Sequence, residues 1–370
     1  MYSSIMSDRS EINPIVPVTP QGKRRRVTLA ELSAATGLAR TTISDILNRN
    51  VGSRYSEDTR RKVQKAMRDL GYTPSRAAQQ LARGKSGQLG LMLTRDFSNP
   101  TYARMIHQIE TEIRGRGYTM QMALTQVDPQ TRLARLVPLP TDDLEGLLIG
   151  PINDPMELER RRRLIKNSYP VVTFGLPVEG EYDSVTIDPQ LVYGTAIEHL
   201  YDKGHRKIGY LLAPPQRTAM QENNEAFAAW SLLKEANLTR DEWFLWQNDS
   251  QRYEDQYAAA ERYAKSWLGW PDTARPTAIL VHSDQAALAA LAAFHKAGIR
   301  VPEDLSVVGF ENSAESAYTI PAITTVDTQM SHMIKMSIDR LVDRIKSPED
   351  DRVTRTVKPV LVERASVRAL

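Results

Sequence analysis

Between Lys23 and Lys85 the chain carries fifteen Lys and Arg against five Asp and Glu, a local net charge of +10. Residues 1–22 contribute −1 and the whole chain +3, which leaves −6 for residues 86–370. A basic stretch of that size suits contact with a phosphate backbone, where displaced counterions supply much of the affinity. It equally suits a solvated basic surface, and charge alone does not separate the two. Catalytic chemistry has little to work with. There is no cysteine, which removes disulfides, thiolate nucleophiles and cysteine-ligated zinc or iron–sulfur centres. The six histidines, His107, His199, His205, His282, His295 and His332, are dispersed, without the spacing that puts two ligands on one helical face. His205, in a Gly-His-Arg-Lys turn, reads as structural. No nucleophile elbow, phosphate-binding glycine loop or paired carboxylates stand out, and the Arg160–Arg163 run reads as a solvated helix face. No catalytic residue, metal or cofactor is therefore expected, and the residue types point to recognition rather than reaction.

Recognition needs rigid elements to present its side chains. Val27–Leu47, VTLAELSAATGLARTTISDIL, holds two short apolar patterns separated by Gly37. Leu29, Leu32 and Ala35 recur at helical spacing behind Thr28, whose side chain suits an N-cap. Gly37 tolerates the positive φ found just past a helix end and so permits a sharp turn. A second helix is predicted from about Arg40. Ile43, Ile46 and Leu47 face inward; Arg40, Thr41, Ser44, Asp45 and Asn48 face outward, a polar, short-chained surface suited to base edges in a major groove. A third begins at the cap Ser56, with Glu57 and Asp58 in its first turn and Val63, Ala66, Met67 and Leu70 as its apolar stripe, and ends at Gly71. After Pro74, Ser75 caps a short segment, SRAAQQLAR, that stops at Gly84. Roughly nine residues is below the ~12–15 at which an isolated helix is marginal, so this segment needs something to pack on.

From Gln88 onward, short apolar strands alternate with longer amphipathic helices. The strands read as LGLML (89–93), YTMQMAL (118–124), GLLIG (146–150), VVTFG (171–175), IGYLLA (208–213), TAILV (277–281) and LSVVGF (305–310). Such alternation marks an α/β sheet covered by helices on both faces. Its length predicts two similar lobes, with a ligand cleft near the carboxyl ends of the strands.

The stretch VTLAELSAATGLARTTISDILN, followed by SEDTRRKVQKAMRDLGYTPSRAAQQLARGKS, resembles the N-terminal signature of the lactose-repressor (LacI/GalR) family of transcriptional regulators from end to end. In the core, DFSNPTYARMIHQIE, GTAIEHLYDKGHRKIGYL, SDQAALAALAAFHKAGIRVPEDLSVVGF, TIPAITTV and LVERASV extend the resemblance over almost everything after the N-terminal arm. It implies an α/β protein with an N-terminal three-helix helix-turn-helix head plus hinge helix, followed by a two-lobed periplasmic-binding-protein-like (type I) core. The chain then divides into a flexible arm (1–26), the head (27–74), the hinge (75–86) and an effector-binding and dimerisation core (87–370). Within the core the N-lobe spans about 87–187 and 326–346 and the C-lobe about 188–322 and 347–370, with changes of lobe near Asp188, near residues 322–326 and near Ser347.

The resemblance implies that Arg40 and Thr41 read base edges, with Leu29 part of the same DNA-binding surface. Thr28, Thr42, Ser44, Asn48, Arg54 and Tyr55 would hold phosphates or the DNA around them. It also implies that paired hinge helices of a dimer, carrying Ala78 and Leu81, order only on DNA and wedge Leu81 into the minor groove. The kink costs a few kcal/mol per unstacked step, offset by the surface brought into contact. One position departs: Asp45 stands where many members carry a basic residue that reads guanine. A carboxylate cannot donate to guanine, but it accepts from a cytosine amino group; the alternative is that Asp45 faces solvent. For the effector, the resemblance implies contacts from Ser98, Asn99, Pro100 and Tyr102 after the first strand, and from Gly175, Ala219, Asn223, Ser283 and Glu311. Asn223 replaces an arginine found in well-known sugar- and purine-binding members. Losing that bidentate clamp favours a neutral sugar or polyol over an anion. His282 lies beside the same loops.

The expected partners are thus a double-stranded DNA operator, a small-molecule effector and a second copy of the chain. No apolar run of about 18 residues spans a membrane and no secretory signal opens the chain, so a cytoplasmic protein is expected. No heptad-repeat tail follows the last strand, so a coiled-coil tetramer is not. Two rivals share the core fold. A solute-binding protein has no use for residues 27–85, and a sugar-processing enzyme needs a catalytic constellation that the sequence lacks.

Overall fold

A computed structural model describes residues 27–48, 55–72, 86–93, 100–124, 126–127, 134–135, 143–152, 169–175, 182–212, 244–246 and 253–370. The arm (1–26), Arg54, the hinge positions Ala78 and Leu81, and the Arg160–Arg163 run lie outside the described residues. The chain divides into two compact units, residues 1–85 and 86–370.

In the first unit, α1 (Leu29–Thr36), α2 (Arg40–Asn48) and α3 (Glu57–Leu70) close on one another. Thr28 and Glu31 form a capping box: Glu31 N donates to Thr28 Oγ1 (3.4 Å) and Thr28 N donates to Glu31 Oε2 (2.7 Å). Gly37 then takes φ 65°, where a side chain is disfavoured, and the Ser33 hydroxyl donates to Leu38 O (2.7 Å) to pin the turn. Ser56 caps α3 by accepting from Thr59 N (3.3 Å). Leu32, Ile43 and Val63, one from each helix, are fully buried, flanked by Leu29, Leu38, Ile46, Leu47, Ala66, Met67 and Tyr72. Two core expectations need correction. Ala35 is exposed and Thr36 buried in its place, because the inward face follows 29, 32 and 36, and the Thr36 hydroxyl is satisfied by Leu32 O (2.7 Å). Leu70 is also exposed, and Tyr72 folds back with its N–H on Met67 O (2.9 Å) to complete the stripe.

The second unit runs β1 (Gln88–Leu93), α4 (Pro100–Gly115), β2 (Thr119–Leu124), β3 (Gln126–Val127), β4 (Ala134–Arg135), β5 (Gly146–Ile152), β6 (Val171–Gly175) and β7 (Asp183–Ile187). It continues α5 (Pro189–Asp202), β8 (Ile208–Leu212), β9 (Phe244–Trp246), α6 (Tyr253–Gly269), β10 (Ala278–His282), α7 (Asp284–Lys296), β11 (Ser306–Phe310) and a 3₁₀ turn (Ala314–Ala317). It closes with β12 (Thr324–Asp327), α8 (Met330–Lys346), β13 (Thr354–Val357) and β14 (Val360–Val362). Two six-stranded sheets result. The first has the order β2-β1-β5-β6-β7-β13, all parallel. The second has the order β9-β8-β10-β11-β12-β14, parallel except for β14. Their central strands are buried on both faces, which is why they read as unbroken apolar runs. β3 and β4 form a separate antiparallel ribbon.

The chain changes sheet three times. Asp188 marks the first change: it caps α5 by accepting from Gln190 N (2.9 Å), and α5 packs on β12 and β14 of the second sheet. The second falls at residues 328–329, after β12, since α8 packs on β5, β6 and β7 of the first sheet. The third falls at residues 358–359, not near Ser347, because β13 pairs in register with β7 through Thr356 opposite Thr186. The N-lobe therefore keeps the chain about ten residues longer than sequence reading expected, and its second segment begins after residue 326 rather than at it.

Candidate DNA-reading head and ligand cleft

On the head, α2 leaves Arg40 and Thr41 exposed at its first turn, with Thr42, Ser44 and Asp45 half-buried along its length. Thr28, exposed, sits at the capped start of α1. Leu29 is half-buried against the small core and the backbone of Asn48 ends α2. Tyr55 is half-buried, and its hydroxyl donates to Asp45 Oδ2 at 3.1 Å. Asp45 therefore does not simply face solvent, a feature no sequence spacing announced.

In the core unit, Gly175, Ser283 and Glu311 lie at the carboxyl ends of parallel strands, where an open α/β sheet leaves its crevice. Gly175 ends β6, buried, with φ 118°, a conformation a side chain resists. That explains glycine at this position independently of any ligand. Ser283 directly follows β10 and is 6% exposed. Glu311 directly follows β11 at φ 98°, and Asn312 beside it is at φ 51°; non-glycine residues held there are strained, and such strain concentrates at functional sites. Tyr102, on α4 after β1, is half-buried against the apolar core. Ser98, Asn99, Ala219 and Asn223 lie outside the described residues, as does the side chain of Pro100.

Behind Ser283 and Glu311 lies a polar network that sequence reading missed. Asp284, the first residue of α7, is fully buried and accepts from Ser313 N and from Thr325 Oγ1, both at 2.7 Å. Burial pushes its carboxyl up to about 6, against the opposing pull of those donors. Arg364 donates to Ile323 O (2.7 Å), Ser316 Oγ (3.0 Å) and Asn312 Oδ1 (2.7 Å), and Asn312 in turn donates to Asp327 Oδ2 (3.0 Å). The loop carrying Glu311 is thus braced from α7, β12 and the C-terminal segment at once. The available signal was a charged residue separated by one position from the end of a buried strand, at the first position of a helix. His282 belongs to an aromatic layer, its ring 5.4 Å from Phe310 and 6.4 Å from Tyr193.

The two sheets meet on this side. Arg104, on the helix after β1, donates to Glu315, in the turn after β11, at 2.6 Å. The segments following two strands, one from each sheet, are therefore in contact at this point. Among the described residues no group of three or more His, Cys, Asp or Glu is placed to hold a metal ion, and no helix is long and apolar enough to cross a membrane.

Residues 197–367 match a family described as a periplasmic binding protein-like domain. The HTH-type transcriptional repressor PurR of Photorhabdus laumondii subsp. laumondii is 30% identical over 343 residues, covering 92% of this chain and 96% of that protein. Among solved structures, the lac repressor dimer bound to operator and the anti-inducer ONPF superposes with a TM-score of 0.75 at 23% identity, over 93% of this chain and 100% of that one. The transcriptional regulator CelR in complex with cellobiose gives 0.61 at 23% identity, over 92% and 100%. The relatives are repressors and not enzymes, so the sugar-processing alternative falls away. With a capped helix-turn-helix head, a two-sheet core and a full-length repressor relative, the chain belongs to the lactose-repressor (LacI/GalR) family of DNA-binding transcriptional repressors.

Proposed function

We propose that two copies of this chain bind a pseudo-palindromic operator, and that a small neutral molecule, a sugar or polyol, held between the lobes shifts the population able to grip DNA. The carrying observation is the α1–Gly37–α2 unit, whose outer face offers Arg40, Thr41 and Asp45 from a core of Leu32, Ile43 and Val63. Arg40 and Thr41 read bases and Asp45 takes a cytosine amino group. Thr28, Leu29, Thr42, Ser44, Asn48 and Arg54 position the backbone, and Ala78 and Leu81 enter the minor groove. The operator-bound lac repressor dimer supports this reading of the head, and the cellobiose complex of CelR supports a sugar in the cleft. There, Ser98, Asn99, Pro100, Tyr102, Gly175, Ala219, Asn223, Ser283 and Glu311 line the ligand. Asn223 offers no bidentate cation, which favours a neutral ligand over an anionic one. The work is done in the cytoplasm, where operator and metabolite meet.

Footprinting on DNA flanking the chain's own coding region, repeated with a panel of neutral sugars, tests both halves. A protected inverted repeat whose occupancy responds to one of these sugars is expected. Protection nowhere, even at low ionic strength, would remove the DNA half. A response to acidic or phosphorylated compounds alone would remove the ligand half.

A further inference from the structure

Asp45 and Tyr55 belong to different parts of the head: Asp45 lies on the outer face of α2, one turn after Thr41, and Tyr55 just precedes the cap of α3. The Tyr55 hydroxyl donates to Asp45 Oδ2 at 3.1 Å, and both side chains are half-buried. A phenol has one proton to give. Directed at Asp45, that proton cannot also hold a phosphate, the role that position would otherwise suggest. A carboxylate, by contrast, has about four lone-pair sites, so the bond from Tyr55 does not by itself stop it accepting from a base. A short side chain turning freely about two bonds can swing away from a guanine or thymine oxygen, whereas a tethered one stays and repels it.

We propose that Tyr55 is a specificity-determining positioning residue: its hydroxyl holds the Asp45 carboxylate where it accepts from a cytosine amino group, so base choice at that operator position belongs to the pair. This rests on the reading of Asp45 as a base contact.

The test uses the full-length protein and a library of duplexes carrying a randomised inverted repeat, selected with wild type, Asp45→Ala and Tyr55→Phe. Tyr55→Phe keeps the ring and removes only the donor. The wild type selects cytosine at one position of each half-site, and Asp45→Ala loses the preference there and nowhere else. Tyr55→Phe narrows that same preference roughly fivefold, the effect of one ordinary hydrogen bond. Preferences elsewhere, salt dependence and thermal midpoint stay at wild-type values. If Asp45→Ala loses the preference while Tyr55→Phe keeps it in full, Asp45 reads unaided and the inference fails alone. If Asp45→Ala selects the wild-type sites, the base-contact reading fails and takes the inference with it. A Tyr55→Phe protein weakened equally at every position, or with a lowered thermal midpoint, would make the bond a structural tie and overturn the proposal.

Discussion

His205 is fully buried with both ring nitrogens engaged, Nδ1 by the Thr277 hydroxyl (2.9 Å) and Nε2 by Arg368 O (3.0 Å). Burial lowers its pKa to about 4, so the native state holds it neutral while the unfolded chain protonates near 6.5. Between those values the unfolded state binds more protons, and stability from this group falls as pH drops from 6.5 towards 4, by up to about 1.4 kcal/mol per pH unit. Above 6.5 it contributes no slope. Asp284 acts in the opposite sense. Raised to about 6, it is protonated in the native state before the unfolded one, so its contribution improves as pH falls through 6. Comparing chemical denaturation of wild type and His205→Gln from pH 7.5 to 4.5 should give a wild-type advantage that shrinks on acidification. Against Asp284→Asn the wild-type advantage should grow. Identical pH profiles for all three proteins would mean that neither burial matters energetically. Residues of this kind were only half legible. The Gly-His-Arg-Lys turn marked His205 as structural, whereas for Asp284 the position at the start of a helix behind an apolar strand was the one local hint, and its donors, residues 313 and 325, are distant in sequence.

At the level of elements, legibility followed apolarity. Strands such as β1 and β6 are enclosed on both faces and so appear as continuous hydrophobic runs; β7 and β13 do not, although β7 is equally buried. Their cohesion is polar: Thr173 Oγ1 donates to Ser184 Oγ (3.0 Å) across β6 and β7, and the hydroxyls of Thr186 and Thr356 meet at 3.2 Å across β7 and β13. A run of Asp, Ser and Thr carries no strand signal strong enough to place it in a core, and the third change of sheet was misplaced as a result. The same edge holds Asp183, 1% exposed, which accepts from Arg344 Nε (2.7 Å), Arg340 Nε (2.8 Å) and Val353 N (2.8 Å). Burial alone would raise its pKa, but these donors outweigh it and hold the carboxyl below the ordinary range. Arg344 also donates to Pro348 O and Asp351 O (both 2.9 Å), so one carboxylate fixes α8, the turn after it and the start of β13. Removing it leaves buried guanidinium charge without its counter-ion. Asp183→Ala should cost the core about 3–5 kcal/mol, with amide exchange accelerated first around residues 348–357. Arg340→Gln, which leaves the Arg344 pair intact, should cost clearly less. Equal losses from both, or none from either, would contradict this account of the edge.

Across the whole molecule, charge is segregated rather than abundant: +10 within residues 23–85 against −6 within residues 86–370, for a total of only +3. If DNA affinity followed net charge, it would depend weakly on salt. If the basic segment alone meets the phosphates, each contact releases counterions whatever the rest of the chain carries, and log K falls against log salt with a slope of about −0.9 per neutralised phosphate. A dimer using three or more phosphate contacts per head should therefore show a slope steeper than about −5. Two substitutions then separate the roles on the head. Arg54→Gln, at a proposed phosphate contact, should flatten the slope by about 2 in the dimer, one unit per head, and weaken all sequences alike. Thr41→Ala, at a proposed base contact, should leave the slope unchanged and reduce discrimination at one base pair of each half-site. A slope near zero in the wild type would mean that the acidic core offsets the head at binding distance, and the proposed mode of DNA binding would have to be rebuilt around fewer phosphate contacts.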